Sequence, residues 1–227
     1  FAIERLNREV RNAVPNSVEV KTGSVGGIQT QCIEFLPVTA SSIYIDIPVT
    51  PELKSNEIFV IPFKDKFGND YQCGLSCQDS ISIYPLSPDE IYVNTGQEQG
   101  KTFLIDSVMQ ISAQQWKIVM NRAVLFDDES PTQRAYISSG PVTYCHFNQS
   151  LYRIDGYTLA ENDNYLFPPG TPVLMADNMS LFNSVSPTFK AIDATLQRNS
   201  LTQVNLGFEL NQEIIFFNND VHSQSTP

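Results

Sequence analysis

No stretch of about 18 consecutive apolar residues occurs in the chain, so no segment of it reads as a bilayer-spanning helix. Basic residues are also scarce: 14 Lys and Arg stand against 25 Asp and Glu, the formal net charge is −11, and the cations are scattered singly. A polyanion needs a basic surface from which counterions are released, so nucleic acid is excluded as a partner, and the acidity is read as a solubility device. There are two histidines, His146 and His222, and no paired C-x-x-C knuckles, which argues against structural zinc.

The motifs of common chemistries are missing too. No G-x-S-x-G elbow exists to partner His222, and Gly74-Leu75-Ser76-Cys77 is not one. Cys145 and His146 are adjacent in a predicted strand and so point to opposite faces, which spoils them as a nucleophile and base. Gly23-Ser24-Val25-Gly26-Gly27 lacks the spacing and the Lys-Ser/Thr of a phosphate cradle and reads as a turn. No catalytic residue, and no enzyme, is expected. No cofactor is expected either. Calcium has two candidate loops, Asp127-Asp128-Glu129 and Glu161-Asn162-Asp163-Asn164, but neither follows the alternating acidic pattern of a calcium loop and both read as solvated.

What is present suits a folded, β-rich protein. The 227 residues, 41% hydrophobic and 17% charged, can bury a substantial core, and they are read as a single domain, 1–227. Cys32, Cys73, Cys77 and Cys145 form an even set in a chain rich in Asn, Ser and Thr, which leans towards an oxidising compartment. Four thiols allow three pairings. The short Cys73-Gly-Leu-Ser-Cys77 loop can close locally, and that pairing leaves Cys32 with Cys145.

Phe1 to Val14 has helical periodicity. Ile3, Leu6, Val10, Ala13 and Val14 form an apolar packing stripe, charged residues cover the other side, and Pro15 ends the pattern. No capping residue precedes it, so it reads as a helix cut at its upstream end. Strand alternation follows in Ile43, Ile45 and Ile47, in Ile81 and Ile83, and in Trp116, Ile118 and Met120. One hairpin is predicted across Asn148-Gln149-Ser150. Another joins Val204, Leu206, Phe208 and Leu210 to a return strand, Ile214 to Phe217, across Asn211-Gln212. No second helix and no repeat is visible, so the expected class is α+β, with one N-terminal helix packed on antiparallel sheets.

Several blocks carry a family resemblance. Phe1-Ala-Ile-Glu-Arg-Leu-Asn-Arg-Glu-Val-Arg-Asn-Ala-Val-Pro-Asn-Ser-Val18 resembles the end of the long first helix of minor pilins. Gly140-Pro-Val-Thr-Tyr-Cys145, Leu151-Tyr-Arg-Ile-Asp-Gly-Tyr157, Ala194-Thr-Leu-Gln-Arg-Asn-Ser-Leu-Thr202 and Asp220-Val-His222 resemble the same proteins. The match is to MshO-like minor pilins of the mannose-sensitive haemagglutinin type IV pilus, relatives of the J-type pseudopilins of type II secretion. The pattern places a further cysteine before Ala194, which this chain lacks.

The resemblance implies a pilin-like fold, with 1–14 as the lower half of a long helix and 18–227 as the β-rich headpiece. It implies an upstream apolar half-helix that anchors a precursor in the inner membrane of a Gram-negative bacterium before the subunit joins an extracellular filament. The implied role is to prime and cap filament assembly through contacts with other minor pilins and the major pilin. A tip adhesin is the alternative. Sugars stack on aromatic rings, and Tyr152, Tyr157, Tyr165 and Phe167 fall near Asn162 and Asp163. Asn148-Gln149-Ser150 and Asn178-Met179-Ser180 fit the glycosylation pattern, which matters only in a eukaryotic host.

Overall fold

The computed structural model describes residues 1–74, 77–92, 97–159, 165–183, 185–192 and 200–222. Helix α1 (Ala2–Arg11) is followed by strands β1 (Glu19–Val25) and β2 (Ile28–Phe35). Then come β3 (Ala40–Asp46), β4 (Ser55–Val60), β5 (Ser80–Ile83), β6 (Gln99–Gly100), β7 (Thr102–Gln110), β8 (Trp116–Phe126) and β9 (Arg134–Ser138). The chain finishes with β10 (Val142–Phe147), β11 (Ser150–Asp155), β12 (Thr171–Ala176), β13 (Phe189–Ile192), β14 (Leu201–Leu210) and β15 (Glu213–His222). Contacts divide these elements into two compact units: β3 to β9 form the second, and nearly all the rest forms the first.

The first unit holds α1, a five-stranded sheet ordered β1-β2-β10-β11-β12 and a three-stranded sheet ordered β13-β14-β15. Its three two-residue hairpin turns are Gly26-Gly27, Asn148-Gln149 and Asn211-Gln212. All six turn residues have positive φ, the geometry whose twist matches paired strands and for which Gly and Asn pay the least steric cost. Leu6 and Val10 of α1 are fully buried, as is Val14 beyond it, and Ala13 is nearly so. Leu6, Val10 and Ala13 share one core with Ile33, Phe35, Tyr144, Leu151, Val204, Leu206 and Val221, against which Ile3 packs half-buried. A ten-residue helix is marginal in water by itself, so this apolar stripe, not intrinsic propensity, holds α1. Past the helix, the Val14 amide donates to the Leu36 carbonyl at 2.7 Å.

The second unit is a closed barrel. Its order is β4-β3-β9-β5-β7-β8, and β4 also pairs with β8, so six strands meet end to end, with β6 running parallel beside β8. Register shifts at Tyr44/Asp46, Ser55/Glu57 and Ile105/Ser107 mark bulges, which bend strands enough to close a sheet on itself. A barrel this narrow is filled by side chains. Ile58, Val60, Ile81, Ile83, Ile118, Val124 and Phe126 are fully buried in it. Phe63 lies 5.0 Å from Tyr71 and 5.5 Å from Trp116 between ring centroids, and Phe103 meets Phe126 edge-on at 4.9 Å.

The expected α+β, pilin-like class is therefore corrected. Among the described residues the protein is nearly all β, with one short α-helix and a closed barrel. The reason is physical: Pro15 limits α1, while barrel closure depends on β4–β8 pairing, which joins residues some sixty positions apart and leaves no local periodic signature. One strand also turns over relative to its expected facing. Ala40, Ser42 and Tyr44 point inward, and Ile43 and Ile45 lie exposed. The Tyr44 ring fills the interior, and its hydroxyl accepts from the Ser130 amide at 2.7 Å and lies 3.2 Å from the Ser130 carbonyl, which it donates to. Among the described residues no helix is long and apolar enough to cross a membrane.

Candidate contact surface

A run of exposed apolar residues in the first unit lies on the far half of the β14–β15 hairpin. Strands β14 and β15 pair without a register shift from Leu201↔His222 to Leu210↔Glu213. Val204, Leu206 and Val221 of this hairpin are buried in the core. Beyond them the strands run past the core, and Leu210, Ile214, Ile215, Phe216 and Phe217 are 65%, 48%, 60%, 61% and 44% exposed. Four large apolar residues in a row place two on each face of the strand, Ile215 and Phe217 on the core side and Ile214 and Phe216 on the other. That is the composition of a strand buried on both faces.

Side chains pack along the hairpin. Phe216 lies opposite Gly207, where a Cβ would come within 2.9 Å of the Phe216 ring and 2.1 Å of the Ser180 hydroxyl oxygen. Phe217 meets the Phe208 ring edge-on at 5.9 Å. The outer edge of β14 is occupied: the Ser180 amide donates to the Gly207 carbonyl at 2.9 Å, and the Glu209 amide to the Asn178 carbonyl at 2.8 Å. On the other side, β15 is the last strand of its sheet, and among the described residues no strand pairs with its free edge.

Charged side chains tie α1 to the five-stranded sheet. Glu9 accepts from Arg5 at 2.9 Å, from Tyr144 at 2.9 Å and from Arg153 at 3.0 Å. Burial pushes the Glu9 carboxyl up, but the bonds from Arg5, Arg153 and Tyr144 outweigh it, and the group rests below the ordinary range. Burial, then the charge of Glu9, pushes the Tyr144 hydroxyl up. Glu34, almost fully buried, accepts from Lys21 at 2.8 Å and from Tyr157 at 2.9 Å. Burial lowers the Lys21 ammonium, yet Glu34 and Glu19 raise it further and keep it charged. These pairs are buried and matched.

The residues singled out in the sequence are dispersed. Cys32 joins Cys145 across the directly opposed strands β2 and β10, and Cys73 joins Cys77. His146 is buried in the first unit: its Nδ1 lies 2.7 Å from the Thr188 hydroxyl, its Nε2 meets no partner among the described residues, its ring packs on Phe182, and burial pulls its pKa down to about 4. His222 sits exposed at the end of β15. Asp128 of the first calcium candidate pairs with the buried Lys101 ammonium at 2.9 Å. The second candidate, with Asn162 and Asp163, lies outside the described residues, among which no metal-holding cluster of His, Cys, Asp and Glu occurs. Tyr157 is buried and Tyr165 exposed, while Phe147, Tyr152 and Phe167 pack edge to edge on one another.

Sequence reading missed Glu34, Lys21 and Lys101. A charge inside the apolar run Cys32-Ile33-Glu34-Phe35 was the available signal, because a carboxylate buried there demands a cation. It also missed the loop Asp65 to Asn69 of the barrel. There Asp65 accepts from the Phe67 and Asn69 amides at 2.8 and 2.9 Å and presents the exposed Phe67 ring on the rim of a cavity of about 840 Å³. No protein-family model, no curated protein and no solved structure matches this chain.

Proposed function

We propose that the chain is a structural subunit that works by protein–protein contact, a minor pilin of the mannose-sensitive haemagglutinin class that helps to initiate and cap a type IV pilus-like filament. One observation carries the contact role: β15 offers a free strand edge with exposed apolar side chains on both faces, the form in which a sheet receives another chain. The filament assignment rests on the sequence blocks at Phe1–Val18, Gly140–Cys145 and Leu151–Tyr157. With it come a membrane-anchored precursor on the periplasmic side and partners among the other minor pilins and the major pilin. The test is calorimetry of the purified chain against each purified pilin of its own system. Binding to at least one is expected; no heat with any of them at tens of micromolar concentration ends the proposal.

A second reading is sugar binding at the filament tip. The Phe67 ring supports it, standing exposed beside the polar side chains of Lys64, Asp65, Asn69 and Gln72. A glycan array separates it from the first: hits abolished by Phe67→Ala support it, and an empty array removes it.

A further inference from the structure

Free strand edges are dangerous, and proteins blunt them with lysines, prolines, bulges or short length. β15 has none of these. Across Glu213–His222 there is no Lys, Arg or Pro, the pairing with β14 runs ten residues without a shift, and the apolar run lies at its exposed end. Glu213 borders that run at its start, and Asp220 lies beyond Asn218 and Asn219 at its end.

We infer that the occupant of this edge is the β15 strand of a second copy of the chain, joined antiparallel about a two-fold axis through Ile215 or Phe216. This deepens the contact role proposed above and rests on it. Two strands related by an axis perpendicular to their common sheet keep each side chain on its own face, so a residue meets either itself or one an even number of positions away. Centred on Phe216, the pairing sets Phe216 against its own copy, Ile215 against Phe217, Ile214 against Asn218 and Glu213 against Asn219. Centred on Ile215, it sets Ile214 against Phe216 and Glu213 against Phe217. Neither register opposes like charges, and both set apolar side chains against one another, so the edge accepts its own copy although the chain as a whole carries −11. The exposed apolar side chains of the strand lie on its two faces, which edge pairing covers only in part, so the contact falls well below the ~800 Å² per partner of a standard stable interface. The pair is therefore weak, and it is strengthened by salt, which screens the acidic surfaces.

Sedimentation of the full chain from about 1 to 300 µM reads this directly. The mass is expected to rise from 25.4 kDa towards twice that value with concentration. Phe216→Lys is expected to weaken the dimer at least tenfold, while Leu53→Lys, at an almost fully exposed apolar site in the barrel, leaves it unchanged. Unaltered far-ultraviolet dichroism shows that both variants fold. The native cysteines are all paired, so a single added thiol reports register: Phe216→Cys or Ile215→Cys is expected to form an interchain disulfide, and Glu209→Cys, on β14, is not. A chain monomeric throughout, or a dimer indifferent to Phe216→Lys, overturns the inference. A monomer that still binds a purified pilin overturns the second copy as occupant and leaves the contact role standing; a dimer that binds no pilin does the reverse.

Discussion

Reduction of the Cys32–Cys145 bond is expected to cost about 3 kcal/mol, not the larger figure its sequence separation suggests. The bond spans 113 positions, and the chain-entropy relation for a loop of that length gives about 5 kcal/mol. Most of that loop is the barrel, however, whose first strand is held to its last by the pairing Ala40↔Ile137. While the barrel stays folded, the flexible path between the two cysteines shortens to about 18 residues, for which the same relation gives about 3 kcal/mol.

The test uses a Cys73→Ser/Cys77→Ser background, so that reductant acts on one bond and no packing atom is lost. Urea unfolding is followed with and without dithiothreitol. Tyrosine dichroism is dominated in the first unit by the buried Tyr144 and Tyr157, and Trp116, the only tryptophan, reports the barrel. A loss below 1 kcal/mol, or one of about 5 kcal/mol while the Trp116 signal remains native, would refute the reasoning.

Three other outcomes are expected. His146 is held neutral, its folded pKa of about 4 lying below the ordinary 6.5. Between those values the unfolded chain takes up a proton that the fold refuses, so stability falls as pH drops from 6.5 to 4, by about 3 kcal/mol in all; His146→Gln should flatten that part of the profile, and parallel curves would sink the claim. Leu6→Ala, at a fully buried helix position, should cost about 2–5 kcal/mol in urea unfolding, whereas Leu53→Ala should stay within about 0.5 kcal/mol. Gly207→Ala should cost about 1–3 kcal/mol, because the new methyl meets Ser180 and Phe216, and combining it with Ser180→Gly should recover part of the loss in a double-mutant cycle; strictly additive losses would show that the Ser180 contact is not the cause.

Local features of this fold were legible and closed ones were not. Asn148-Gln149 and Asn211-Gln212 sit between alternating runs, and both form the tight hairpin turns that such residues favour. The helix forms over Ala2–Arg11, shorter than the expected Phe1 to Val14, and Leu6, Val10 and Ala13 of the apolar stripe reach the core. Barrel closure is different in kind. Bulges change which residues face inward partway along a strand, so the alternation of Ile43 and Ile45 with Tyr44 was visible while its direction was not. The contact surface was half legible: Ile214 to Phe217 reads from sequence as a strand, but a solid apolar run usually means burial, and only the sheet order reveals that this one lies at an edge.

The path of the chain around the barrel has an architectural consequence. Residues leave the first unit just after Phe35 and return just before Val142, and those two residues are paired neighbours in its sheet. The barrel thus occupies the position of a hairpin loop, drawn out to about a hundred residues. Trading it for a different module, or for a plain turn, would ask nothing of the register on either side, so the same frame is open to carrying unrelated cargo at that junction.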